Sequence, residues 1–313
     1  MPEPSSEPRG GLATTDLADV AAPAALDLET LGADPTGDES GSYQVRRIGV
    51  LGYVAGAWLV LVVLGALLAA LLPLSPSESF GEIARQGPSV GHWFGGDNIG
   101  RDIFTRCLYG ARKSLAVGVG SYIGALILGG GIGLVAGYYR GRIESMITAV
   151  LDVMLSFPPL VLLIAITSFL GTDVKNLIFA LTILAIPNVA RIIRANVLAF
   201  SQREFVTASR SLGARNMRIM VREILPNVVP AVGGFALVGV ANLIVVEGAL
   251  AFIGSSDPDE ASWGVMINQG RDQLDSAPHI VLFPAMMIFL TVLSMNYLGD
   301  RVRERLEVKE SNV

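Results

Sequence analysis

Along the chain, apolar positions gather into long runs with little or no charge, separated by polar stretches. Ile48–Leu72 carries no charged residue over 25 positions, enough to cross a hydrocarbon core of ~30 Å at ~1.5 Å per helical residue. Five more runs follow: Ser114–Tyr139, Ser145–Gly171, Leu177–Phe200, Val228–Ile253 and Ile280–Gly299. Six spans of this kind predict an all-α polytopic membrane protein. The domain plan is an acidic N-terminal extension over 1–45, a first transmembrane helix over 46–72, and a polar loop ending in an interfacial helix over 73–112. A five-helix core then occupies 113–300, including a polar elbow over 203–226, and a short tail covers 301–313.

Irregularities within the runs refine this picture. Ser114–Tyr139 holds glycines at 120, 124, 129, 133 and 137, a spacing that predicts close helix packing in a bilayer rather than a nucleotide loop. Pro158 and Pro159 predict a kink in the third span, and Pro187 interrupts the fourth. Asp152 lies inside the third span and Glu247 toward the end of the fifth, with Asn242 five residues before it. A carboxylate within a span is costly, so each is expected to face protein or water. Asp152 is read either as an interhelical hydrogen-bonding group or as a pathway group. Glu247, expected where water can reach it, carries the same two readings. Arg191 and Arg194 are expected to snorkel to the membrane surface.

Composition agrees with the pattern and narrows the chemistry. Half the residues are hydrophobic, 16% are charged and the mean hydropathy is +0.54, which excludes an ordinary soluble domain. The net charge of −5 arises in the extension, where residues 1–45 hold nine acids and one arginine; that stretch is expected to be disordered. The single cysteine, Cys107, rules out an intramolecular disulfide, and no residue cluster suggests a metal or a nucleic-acid surface. With both termini placed in the cytoplasm, sixteen basic residues fall inside and seven outside, as the positive-inside tendency requires. His92 and His279 stand alone in loops. Gly110–Ser114 lacks the spacing of a phosphate loop, so no nucleotide site is expected in this chain.

The polar stretch 201–230 stands apart, because it is basic and lies between two apolar runs. A short helix over Glu204–Leu212 is expected to stop at Gly213, which tolerates the positive φ of a helix end. A second piece is expected to begin at Asn216 and to set Met217, Met220, Val221 and Ile224 on one side, with a new helix starting near Pro226. The result is an amphipathic elbow on one membrane face.

Thr207-Ala208-Ser209, Gly213 and Ile224-Leu225-Pro226 resemble the EAA-x3-G signature of permease subunits in bacterial binding-protein-dependent ABC importers, with Thr207 in place of the signature's glutamate. Other segments are similar to dipeptide and oligopeptide permeases. These are the His92–Ser114 run with Asp97, Gly100, Arg101, Asp102, Arg106 and Gly110-Ala111-Arg112, the Asp152…Phe157-Pro158 pattern, Glu247-Gly-Ala-Leu250-Ala-Phe252-Ile-Gly254, Ser262-Trp263-Gly264 with Gly270-Arg271, and Asn296-Tyr-Leu-Gly-Asp300. The resemblance extends over about Trp58–Glu307 and implies the second permease of a dipeptide/oligopeptide/nickel-type importer with the type I importer fold. It further implies a related second permease, two ATPase subunits that bind ATP and magnesium, and an extracytoplasmic binding protein, all in a bacterial plasma membrane. Glu204, Thr207, Ala208, Ser209, Gly213, Leu225 and Pro226 would then make the coupling elbow, and Asp152, Asn242, Glu247 and Phe252 would be pathway or gate candidates. Trp263 is expected as an interfacial anchor in a loop that contacts an external partner or caps the bundle. A proton-coupled secondary transporter using Asp152 and Glu247 is the rival reading. An intramembrane hydrolase lacks its residues.

Overall fold

The computed structural model describes residues 49–69, 71 and 75–311; the acidic extension and its expected disorder lie outside the described residues. Helices dominate: α1 Val50–Leu68, α2 Ile103–Tyr139, α3 Arg142–Ser156, α4 Pro159–Leu170 and α5 Val174–Phe200. The elbow contributes α6 Glu204–Ser211 and α7 Asn216–Arg218, and then a π-helical segment Ile219–Ile224. After it come α8 Leu225–Phe252, α9 Trp263–Gly270 and α10 His279–Ser311. Five helices are long and apolar enough to cross a membrane, and the bent pair α3/α4 makes a sixth if taken as one broken span.

The glycine pattern of α2 is a packing seam. α2 lies along α5, and a Cβ at Gly124 would sit 2.7 Å from Thr182 Oγ1, at Gly129 2.8 Å from the Ile186 carbonyl, and at Gly133 2.5 Å from the Ala190 carbonyl. Such approach lets the helices bond side chain to backbone. Ser121 Oγ donates to the Ile178 carbonyl and Thr182 Oγ1 to the Ser121 carbonyl, both at 3.2 Å. The seam excludes lipid and fixes α2 against α5, with α8 packed beside them.

Three elements differ from expectation. The interfacial helix is not separate, because α2 runs 37 residues from Ile103 without a break. At ~55 Å it is longer than the hydrocarbon core, so its first turns, with Arg106 and Arg112, project beyond it. The third span bends by 86° between Ser156 and Pro159. Neither proline has a donor for a helical bond, and each drives the residue before it out of the α region, so the chain breaks here rather than kinks. Helix α10 continues past Gly299 to Ser311, well beyond the apolar run.

Candidate functional site: the elbow and the polar groups of the spans

Helix α6 is a surface element anchored by Val206, which is 1% exposed, while Glu204, Thr207 and Ala208 face outward and Ser209 is half-buried. Its end is fully bonded. The Gly213 amide donates to the Arg210 carbonyl at 3.0 Å and the Ala214 amide to the Ser209 carbonyl at 3.1 Å, with Gly213 at φ +78°. This is the Schellman arrangement, which needs a left-handed residue at that position. It throws Leu212 into solvent at 88% exposure. Around it Arg203, Arg210, Arg215, Arg218 and Arg222 are all exposed. The elbow thus presents a small-residue helix and an apolar tip within a basic rim, suited to a complementary groove.

Tyr138, near the end of α2, ties the elbow to the bundle. Its hydroxyl donates to Asn216 Oδ1 at 2.9 Å, and the Arg210 guanidinium lies 5.8 Å from its ring centroid. Asn216 is the first residue of α7 rather than its cap, a position taken by Arg215. The second half of the elbow is no separate piece: helix runs unbroken from Asn216 to Phe252. Leu225 and Pro226 lie in the first turn of α8, where the missing Pro226 donor would have been paired with Arg222. The π segment immediately before them widens that turn and relieves the clash of the proline ring. It also shifts the buried face. Ile219, Met220 and Ile224 are buried, whereas Met217 and Val221, expected beside them, are 67% and 45% exposed.

The four pathway candidates are not brought together. Asp152 pairs with Arg191 of α5, both side chains about half-exposed, and Arg194 pairs with Glu144, its Nε 2.9 Å from Oε1. The two arginines are therefore clamps between α3 and α5 rather than free snorkelling groups. Glu247 is sealed at 1% exposure, not open to water as expected; Ser114 Oγ donates to its Oε2 at 3.0 Å, and Oε1 has no partner among the described residues. Phe252 lies half-exposed at the end of α8, where its carbonyl accepts from Asn268 Nδ2. Asn242 lines a cavity. That cavity, of about 280 Å³, lies between α2, α3, α4, α5 and α8 and also takes in Asn188 and Tyr122.

At the opposite end of the bundle, the His92–Ser114 run forms a bonded knob. Asp97 Oδ1 accepts from the amides of Ile99 and Arg101 at 3.0 and 2.9 Å, and its Oδ2 pairs with Arg101 Nε at 2.6 Å. Arg106, 1% exposed, and Arg101 both donate to Gln269 Oε1 at 3.1 and 3.0 Å. Asp102 caps α2 through the Thr105 amide and meets His92 Nδ1 at 3.1 Å. His279 Nε2 lies 3.3 Å from the Gly96 carbonyl. The Asp-x-x-Thr cap was a signal available in the sequence; the link to Gln269, far along the chain, was not. Trp263 is no surface anchor. It is fully buried and donates to the Cys107 carbonyl at 3.0 Å. Gly264 lies against the α8 backbone, where a Cβ would strike the Gly248 carbonyl. The loop after α8 therefore caps the bundle.

Comparison with known proteins agrees with this arrangement. Residues 129–309 match the family described as binding-protein-dependent transport system inner membrane component. The dipeptide transport system permease protein DppC of Alkalihalophilus pseudofirmus is 40% identical over 256 residues, covering 80% of this chain and 84% of that protein. The glutathione transport system permease protein GsiD of Pectobacterium atrosepticum is 37% identical over 258 residues, covering 82% and 86%. Among solved structures, the MetNI methionine ABC transporter in an inward-facing conformation aligns with a TM-score of 0.55 at 19% identity, over 65% of this chain and 96% of that one. The fold is thus that of a type I ABC importer permease. By its family match and its relatives alike, the chain belongs to the inner membrane components of binding-protein-dependent transport systems.

Proposed function

We propose that the chain is the second permease subunit of an ATP-driven importer of di- and oligopeptides, working beside a related permease. Two ATPase subunits supply the force, ATP and magnesium being theirs, and an extracytoplasmic binding protein delivers the cargo. The relatives named for dipeptide and glutathione transport support the peptide class. The observation that carries the mechanism is the elbow. Its outward residues, exposed Leu212 and basic rim suit docking to a motor, and its second half is continuous with α8. A push on α6 would be passed to α8 as a lever and to α2 through Tyr138. The charge distribution supports a cytoplasmic side for both termini and the elbow.

The proton-coupled alternative has no support. Its two carboxylates sit in different settings, one paired to Arg191 and half-exposed, the other sealed against Ser114. The complex reconstituted with its ATPase subunits and binding protein is expected to take up radiolabelled dipeptide only when ATP is hydrolysed. Uptake driven by a proton gradient with the ATPases absent would overturn the reading.

A further inference from the structure

Helical asparagines elsewhere among the described residues have partners, and some bond within their own helix. Asn196 Nδ2 donates to the Ile192 carbonyl at 2.9 Å, and Asn296 Nδ2 to the Val292 carbonyl at 3.0 Å, each one turn back. Asn188 and Asn242 do not. Both are exposed, each lies near the middle of a span, and neither carboxamide has a hydrogen-bond partner among the described residues. They come from different helices, α5 and α8, yet line the same cavity. Unpaired carboxamides at mid-membrane depth are costly against lipid and are expected to face water or a polar occupant. A second cavity of about 340 Å³ offers the contrast, since its lining includes no asparagine, acid or base.

We propose that Asn188 and Asn242 form a mid-membrane contact site for the backbone amides of a peptide in transit, an inference that rests on the importer reading above. A carboxamide offers two N–H donors and one carbonyl acceptor, the complement of a peptide bond. No Asp, Glu, Lys, Arg or His lines the cavity, so nothing there selects a charged side chain. Apart from Tyr122, the rest of the wall is apolar, including Phe157, Pro159 and Val246. Such a site reads the feature all peptides share and tolerates their differences. Its volume, about 280 Å³, is near the lower end of small-ligand cavities.

The test uses the full complex in proteoliposomes with ATP and its binding protein, comparing radiolabelled alanyl-alanine with the analogue methylated on its peptide nitrogen. Wild type is expected to import the unmodified dipeptide the faster. In Asn188→Leu/Asn242→Leu, alanyl-alanine uptake is expected to fall about tenfold and the preference over the methylated analogue to shrink, with co-purification of the second permease unchanged. Asn188→Gln/Asn242→Gln, which keeps the carboxamides, is expected to restore part of both. Unchanged uptake and preference in the Leu variant would overturn the proposal while leaving the importer reading intact. So would loss of the second permease from the purified Leu variant, which would assign the carboxamides to the subunit interface. Absence of ATP-dependent uptake in wild type would bring down the importer reading, and the proposal with it.

Discussion

Gly131 and Gly133 sit two residues apart on α2 and meet different surroundings. Nothing lies within 4 Å of a Cβ at Gly131, whereas one at Gly133 would press on the Ala190 carbonyl. Gly133→Val is therefore expected to destabilise the folded chain by ~1–3 kcal/mol through overpacking, while Gly131→Val shifts stability by less than ~0.5 kcal/mol. Thermal unfolding in detergent distinguishes them, and equal effects would refute the seam. Gly213 is a conformational case. An L-residue held at its φ of +78° is strained by ~1–2 kcal/mol, a factor of ~5–30 in the ratio of native to non-native elbow. Gly213→Ile should cut uptake by up to that factor with insertion unaffected, and Gly213→Asn, which tolerates the left-handed region, should retain more; uptake assays beside membrane yields give the answer. At this scale the sequence was legible where one residue's own geometry decides, as at Gly213. It was misleading where burial decides. Trp263 has the chemistry of an interfacial anchor, but a tryptophan reads the same whether lipid headgroups or the Cys107 turn surround it.

Among elements, the π segment carries the most consequence. It adds a residue to the turn between α7 and α8, and so sets the angle at which the elbow leaves the span. Deleting the half-exposed Val221 should restore α geometry there and rotate everything before it by ~100° about the helix axis. The expected result is a normally inserted chain that no longer co-purifies with its ATPase subunits; retained binding would show that the segment is not a register device. The sequence could not reveal it, since Met217, Met220, Val221 and Ile224 fit an α face well and only the proximity of Pro226 hints at a defect. The break between α3 and α4 was easier to foresee from Pro158 and Pro159, though its 86° angle depends on how α4 packs against α5.

For the molecule as a whole, six apolar runs and their order were legible because lipid imposes a length on each span. The pairing of helices was legible only along the glycine seam. What joins distant parts was hidden, because the partners lie far apart in the chain: Arg106 with Gln269, Lys113 with Glu260, Tyr138 with Asn216. Those contacts leave a bundle with a bonded knob at one end and an exposed basic elbow at the other. Under the proposed function the elbow faces the cytoplasm and receives a motor there. Ala208→Cys places a thiol on its outward face, and the native Cys107 is buried. A membrane-impermeant thiol reagent is expected to label Ala208→Cys in inverted vesicles and not in intact spheroplasts, with labelling suppressed when the ATPase subunits are bound. Labelling from the outside of spheroplasts would contradict the account.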